Sequence, residues 1–368
     1  MTATLNHNLR GYIEATRDYF AAPSVALTVV KGEETVLETF GTTRTGGDIP
    51  VTEKTLFTMG AGSRAYTAAA TALLVDKGLL GWDDRVQSYL PEFVLPDPWI
   101  TDHLTLRDLL GQRIALEPLN LGSAGQDSSF GELKDTTRIA GFRERYAPLP
   151  LAYRAVAEII ARVSEQPFAD FLKQRLFDPL GLEHTLSAKT WPDLADLAQP
   201  HTSGPNSAAP LDPAGYSPCE GGGGIFTSAA DSAIWLRLHL RRGFLERTPI
   251  IKWTSMIDIL SPQIVAEPDA RRGEVIAGYG MGWHIANYAD AQILYQEGHE
   301  AGTSALNLLL PRENLGIAVR LGLDCPPAVR AITYRLLDAF LNRSPVDWAP
   351  RFKAWAEEDR VAAEAQAG

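Results

Sequence analysis

Thr58-Met-Gly-Ala-Gly-Ser63-Arg-Ala-Tyr66-Thr-Ala-Ala-Ala-Thr-Ala-Leu-Leu-Val75 is the stretch that decides how this chain folds. Alanine carries no side-chain entropy cost and the glycines tolerate a turn, so the run reads as a buried helix that begins near Ser63. Ser63 then falls in the first turn, where backbone N–H groups lack intrahelical partners and carry the positive end of the helix dipole. Such groups suit an anion developing at a serine. Residues three apart share a helix face, so the Ser63 hydroxyl and the Tyr66 ring are expected to emerge side by side.

Outward from this helix, Leu74-Val-Asp-Lys-Gly-Leu-Leu-Gly-Trp-Asp-Asp84-Arg-Val-Gln-Ser-Tyr-Leu-Pro91, Leu104-Thr-Leu-Arg-Asp-Leu-Leu110 and Phe168 to Thr185 with its Pro-Leu-Gly-Leu core follow in order. Gly222-Gly-Gly-Ile-Phe-Thr-Ser-Ala-Ala-Asp231, Gly278-Tyr-Gly-Met-Gly-Trp283 and Leu309 to Val319 complete the series. Over residues 10 to 342 the chain resembles the serine β-lactamase and penicillin-binding-protein superfamily, in particular its class C β-lactamase-like esterases and transacylases. The resemblance implies an α/β fold, an α+β sandwich whose antiparallel sheet is built from both chain ends and flanked by helices, plus a mostly helical lobe. It places a single catalytic domain at 1–345, with a sheet lobe at about 1–58 and 272–345, a helical lobe at about 59–271, and a helical tail at 346–368.

The family's first motif is Ser-x-x-Lys at a helix start, the lysine amine activating the serine. In this reading Ser63 keeps the serine and Tyr66 stands at the lysine. A phenol titrates near 10 and is a poor base at neutral pH unless cations stabilise its phenolate. Gln112 replaces the histidine and Ala115 the glycine of the loop after Leu110. The second motif, Tyr-x-Asn, lands without gaps on Pro148-Leu-Pro150; a two-residue slip offers Tyr146, and Tyr153 is an alternative. The third motif appears as Gly298-His299-Glu-Ala-Gly302. The resemblance implies that His299 faces the serine and that the backbone N–H groups of Ser63 and Ala301 form an oxyanion hole. Gln112, Tyr153, Gly222 and Gly302 are then pocket residues, and Glu300 is expected on the opposite, solvated strand face.

Composition bounds the answer. The chain has 368 residues, 45% of them hydrophobic and 21% charged, with net charge −11, which fits a globular protein and argues against a nucleic-acid partner. No basic and apolar leader opens the sequence and no stretch approaches a membrane span, so a cytoplasmic small-molecule substrate is expected and no membrane partner. Cys219 and Cys325 do not suggest a disulfide scaffold, although Cys219, before the glycine run, is a conceivable nucleophile. The seven histidines show no ligand spacing, so no metal and no cofactor is expected. The polar stretch Thr202 to Pro218 reads as a loop over the cleft, and Trp348, Phe352 and Trp355 read as a packing stripe on the tail.

Three functions follow. One is a hydrolase or acyltransferase of an ester, amide or lactone, with Ser63 as nucleophile and His299 or a Tyr66 phenolate as base. Another is an isomerase, lyase or cyclase in which Tyr66 and His299 move protons. The third is a ligand-binding homologue without turnover. The sequence leaves oligomeric state open.

Overall fold

The computed structural model describes residues 5–117, 130–203 and 208–367. Helix α1 (His7–Tyr19) leads into the hairpin β1 (Ser24–Lys31) and β2 (Glu34–Gly41). Six more strands of the same sheet come from the other end of the chain: β3 (Ile264–Ala266), β4 (Glu274–Tyr279), β5 (His284–Tyr288), β6 (Ala291–Glu300), β7 (Thr303–Leu310) and β8 (Leu315–Leu321). Their order is β3-β4-β5-β6-β7-β8-β1-β2, and every pair is antiparallel. β1 joins the two ends of the chain by pairing Val25 with Leu321 and Lys31 with Leu315.

β1, β7 and β8 are buried along nearly their whole length, which is why Ser24 to Lys31 reads as a continuous Val, Ala and Leu run rather than an alternating one. One sheet face carries Leu27, Ile317 and Val319 against α1 and a late helix over Pro326–Phe340. The final helix, Trp348–Ala367, docks there through Trp348 and Phe352, and the Trp348 indole donates to Asp338 at 2.8 Å. The other face packs on α2 (Arg64–Asp76), α3 (Pro150–Ser164) and α4 (Ala229–Leu240). Ten residues of α2 are buried, so this helix is enclosed on nearly every side, as a core helix is.

Two details position the site. Gly278 to Trp283 does not continue as one strand: β4 ends at Tyr279 and a turn closed by Gly280 N–H on the Trp283 carbonyl at 2.8 Å starts β5. Gly282, at φ +82°, presses on the backbone of Ala65, where a Cβ would stand 2.7 Å from its Cα. The glycines therefore serve a tight approach to the start of α2. The stretch Thr202 to Pro218 contains a short hairpin, His201–Ser203 with Ala208–Pro210; residues 204–207 of it lie outside the described residues.

Candidate functional site

A single 3-10 turn, Gly60–Ser63, runs directly into α2. β6 crosses this turn at Gly298, where a Cβ would lie 2.1 Å from the Met59 carbonyl and 2.6 Å from the Ala61 nitrogen. Only glycine fits there, which accounts for the glycine before His299.

The turn sends its side chains in different directions. Ser63 is 1% exposed, and its hydroxyl oxygen accepts from the Ile225 N–H at 3.1 Å. Tyr66 lies in the core: its ring stacks on Trp235 at 3.9 Å and 9° and meets Phe177 edge-on. The Tyr66 hydroxyl has no hydrogen-bond partner, and burial pushes its pKa far above the ordinary value. It is neither hydrogen-bonded to the serine nor able to hold a phenolate. The expected side-by-side pair does not form.

Arg64 is the side chain that reaches polar company. Its guanidinium lies 5.6 Å from the centre of the Tyr153 ring, and the Tyr279 and Tyr146 hydroxyls turn toward it. Tyr153 donates to the Leu110 carbonyl at 2.6 Å, while Tyr146 packs on Tyr279 and His284. Burial raises the Tyr146 pKa although Arg64 pulls it down. Burial, with the fields of Arg272 and Arg64, lowers His284 to about 3, so its ring stays neutral. Burial likewise raises Cys219 to about 11, which removes the thiolate it would need as a nucleophile.

The strand residues are reversed from the expectation. Gln296, Gly298 and Glu300 face the helices, whereas Tyr295, Glu297 and His299 face the other way, by the two-residue period. His299 is 60% exposed and pairs with Asp324 at 3.2 Å, which raises its pKa. Glu300, expected in solvent, instead accepts from Tyr216 at 2.9 Å and Thr58 at 3.3 Å, and burial raises its carboxyl pKa. Ala301 and Gly302, at φ +44° and +79°, form the two-residue turn between Glu300 and Thr303, the geometry of a hairpin tip. Ala301 packs with Trp191, Tyr216 and Phe226, and Gly302 lies against His201.

The remaining predicted residues are braces. Gln112 accepts from the Leu149 N–H through its side chain and from Ala147 N–H through its carbonyl, which fixes the segment carrying Tyr146. Gly221 presses on the backbone of Tyr153, Gly222 lies in ordinary contact with the Cys219 and Pro150 carbonyls, and Thr67 ties this run to α2 by donating to the Gly221 carbonyl at 2.7 Å. Sequence reasoning missed Arg64, Tyr279 and His284; the signal available for the first was a charged residue inside an otherwise apolar helix start. Among the described residues no cluster of three or more metal-type ligands occurs, and no helix is long and apolar enough to cross a membrane.

A sheet drawn from both chain ends, covered by helices on both faces and crossed at Gly298 by the turn that opens a buried helix, defines the penicillin-recognising class of folds. Residues 9–339 match the Beta-lactamase family, and the chain belongs to that family. Similar proteins include the unguisins hydrolase ungD′ of Aspergillus campestris, 24% identical over 94% of this chain and 67% of that one. The D-alanyl-D-alanine-carboxypeptidase/endopeptidase AmpH of Escherichia coli is 21% identical over 81% and 79%. Among solved structures, the octameric penicillin-binding protein homologue from Pyrococcus abyssi superposes with a TM-score of 0.80 at 20% identity, over 92% of this chain and 78% of that one. A class C β-lactamase from Rhodobacter sphaeroides gives 0.74 at 19% identity, over 91% and 100%.

Proposed function

We propose that this chain is a small-molecule-binding member of the family that does not form an acyl-enzyme, and that the Ser-x-x-Lys spacing falls on Ala61-Gly62-Ser63-Arg64. The observation that carries this reading is the direction of Arg64, which points its cation among Tyr146, Tyr153 and Tyr279 while Tyr66 packs on Trp235. Three residues before Arg64 stands Ala61, held against β6. A methyl group cannot be acylated. A guanidinium stays protonated at any working pH and cannot take a proton from a hydroxyl as a lysine amine does. The second motif is lost in the same sense, because the ungapped register puts Pro148 and Pro150 at its tyrosine and asparagine.

The test is labelling of the full chain with a fluorophosphonate and a β-lactam, read by intact mass, beside a family member that retains the motif. The expected result is no adduct. An adduct on the Ser63 peptide would overturn the reading and restore the second one, a hydrolase or acyltransferase of a cytoplasmic ester, amide or lactone with Ser63 as nucleophile. What favours that second reading is that relatives of this chain are named as a hydrolase and a carboxypeptidase. An isomerase, lyase or cyclase built on Tyr66 and His299 has less support, since one ring is in the core and the other is paired with Asp324.

A further inference from the structure

Among the described residues Arg64 is a cation that meets no anion. Among the described residues no carboxylate pairs with it, and its Nε has no hydrogen-bond partner. The groups nearest it are the phenols of Tyr279, Tyr146 and Tyr153. His284, in ring contact with Tyr146 and Tyr279, is held neutral by burial. Cys219, which also feels the Arg64 charge, is held as a thiol.

A deep-set charge is unfavourable unless something of opposite sign meets it. A lysine in this place could shed its proton; an arginine cannot. The guanidinium fork and phenol hydroxyls are donors that match the two oxygens of a carboxylate. Tyr146 also lines a groove of about 550 Å³ with Glu144, Arg145, Glu267, Arg272 and His284. Tyr146 is the residue shared by the groove and the Arg64 cluster, and Glu274 also lines the groove.

We infer that Arg64, with the hydroxyls of Tyr146 and Tyr279, is the centre of a carboxylate-binding site, and that its ligand is a small organic acid whose skeleton extends past Tyr146 into the groove. This rests on the reading that no acyl-enzyme forms at the Ala61 turn, and it names the ligand class for that reading. The ligand is then the free acid itself, held by charge.

The experiment measures thermal midpoints and titration heats of the full chain with benzoate and hexanoate, against chloride of equal ionic strength, inorganic phosphate, and neutral hexanamide. The expected result is a saturable rise in midpoint with at least one of the two carboxylates and none with hexanamide. Arg64→Gln abolishes it, Arg64→Lys retains part, and Tyr146→Phe weakens binding several-fold. The midpoint of Arg64→Gln in chloride is expected to equal or exceed that of the parent chain, since an unmatched cation has been removed. A carboxylate effect that persists in Arg64→Gln, an equal effect of hexanamide, an effect of phosphate alone, or none at all would overturn the site. A lower midpoint of Arg64→Gln in chloride would mark Arg64 as a structural strut and overturn it too. Absence of a carboxylate effect with Ser63 unlabelled removes this inference alone, whereas labelling of Ser63 removes the reading it rests on.

Discussion

The Arg64 guanidinium lies 5.6 Å from the centre of the Tyr153 ring, while the hydroxyl of Ser63, one residue earlier, is taken up by the Ile225 N–H at 3.1 Å. One turn of backbone thus divides the two groups that a serine hydrolase would bring together. The nucleophile candidate faces a strand end, and the cation faces a cluster of phenols. The two groups share no hydrogen bond through which a proton could pass directly, and a guanidinium is no base.

If the proposed spacing is right, chemistry returns at residue 61 and not at residue 63. The double variant Ala61→Ser with Arg64→Lys is expected to acquire fluorophosphonate labelling on residue 61, at least on the order of 10²-fold faster than Ala61→Ser alone, which is the low end of what a positioned base contributes. Peptide mapping after labelling reads the outcome. A folded double variant that stays silent, or that labels on Ser63, would sink the assignment of Ala61.

Tyr66 gives the complementary case. Tyr66→Phe removes a hydroxyl that has no partner while leaving the stack on Trp235, so stability should hold or improve and ligand binding should not change. Tyr66→Ala empties a fully buried ring site and should cost about 3–5 kcal/mol by urea unfolding. Loss of binding or of any turnover in Tyr66→Phe would return the phenol to a functional role.

The architecture was legible because its signals are local and repeated: the Ala- and Leu-rich run of α2 and the ordered series of stretches from Leu74 to Val319 that carries the resemblance. The tail aromatics Trp348 and Phe352 were readable as packing for the same reason. The site was harder. Periodicity puts Ser63 and Tyr66 on one helix face, but it does not say which face meets Trp235 and which meets the phenols. The parity of β6 was equally hidden, because His299 and Glu300 are adjacent and only the crossing at Gly298 fixes which one turns inward. Tyr279 could not be foreseen beside Arg64, because the turn that Gly280 closes on Trp283 sets where β4 ends.

That crossing can be probed directly. Gly298→Ala adds a Cβ 2.1 Å from the Met59 carbonyl, and backbone, unlike a flexible side chain, gives way only by shifting β6 from the turn. Overpacking of this kind costs about 1–3 kcal/mol or more. Because Met59 and Ala61 sit at the start of α2, the same variant should also weaken carboxylate binding at Arg64. An unchanged denaturation midpoint would mean that the turn and β6 are not in contact.

The last expectation concerns acid. His284, lowered by burial and by Arg272 and Arg64 to about 3, and His239, lowered by burial to about 4, are neutral when folded. Free histidine titrates near 6.5, so the unfolded chain binds these protons first. Their contribution is fully present above pH 6.5 and is lost as pH falls from there toward 4 and then 3, at about 1.4 kcal/mol per pH unit for each ring while only the unfolded state is protonated. His299 has the opposite sign: Asp324 raises its pKa, so its contribution is present at low pH and lost as pH rises through its folded value. That pair is 60% and 40% exposed, and an exposed pair contributes about 0–1 kcal/mol, too little to offset the two buried rings. Unfolding free energy should therefore fall steadily from pH 6.5 to pH 4. His284→Phe keeps a ring against Tyr295 and should flatten the slope by about half, and His284→Phe with His239→Phe should remove most of it. A slope that survives the double variant would place the acid sensitivity in His201, whose pKa burial also lowers, or in carboxylates such as Asp108, whose pKa is lowered by the Arg143 and Arg113 guanidiniums against the effect of burial.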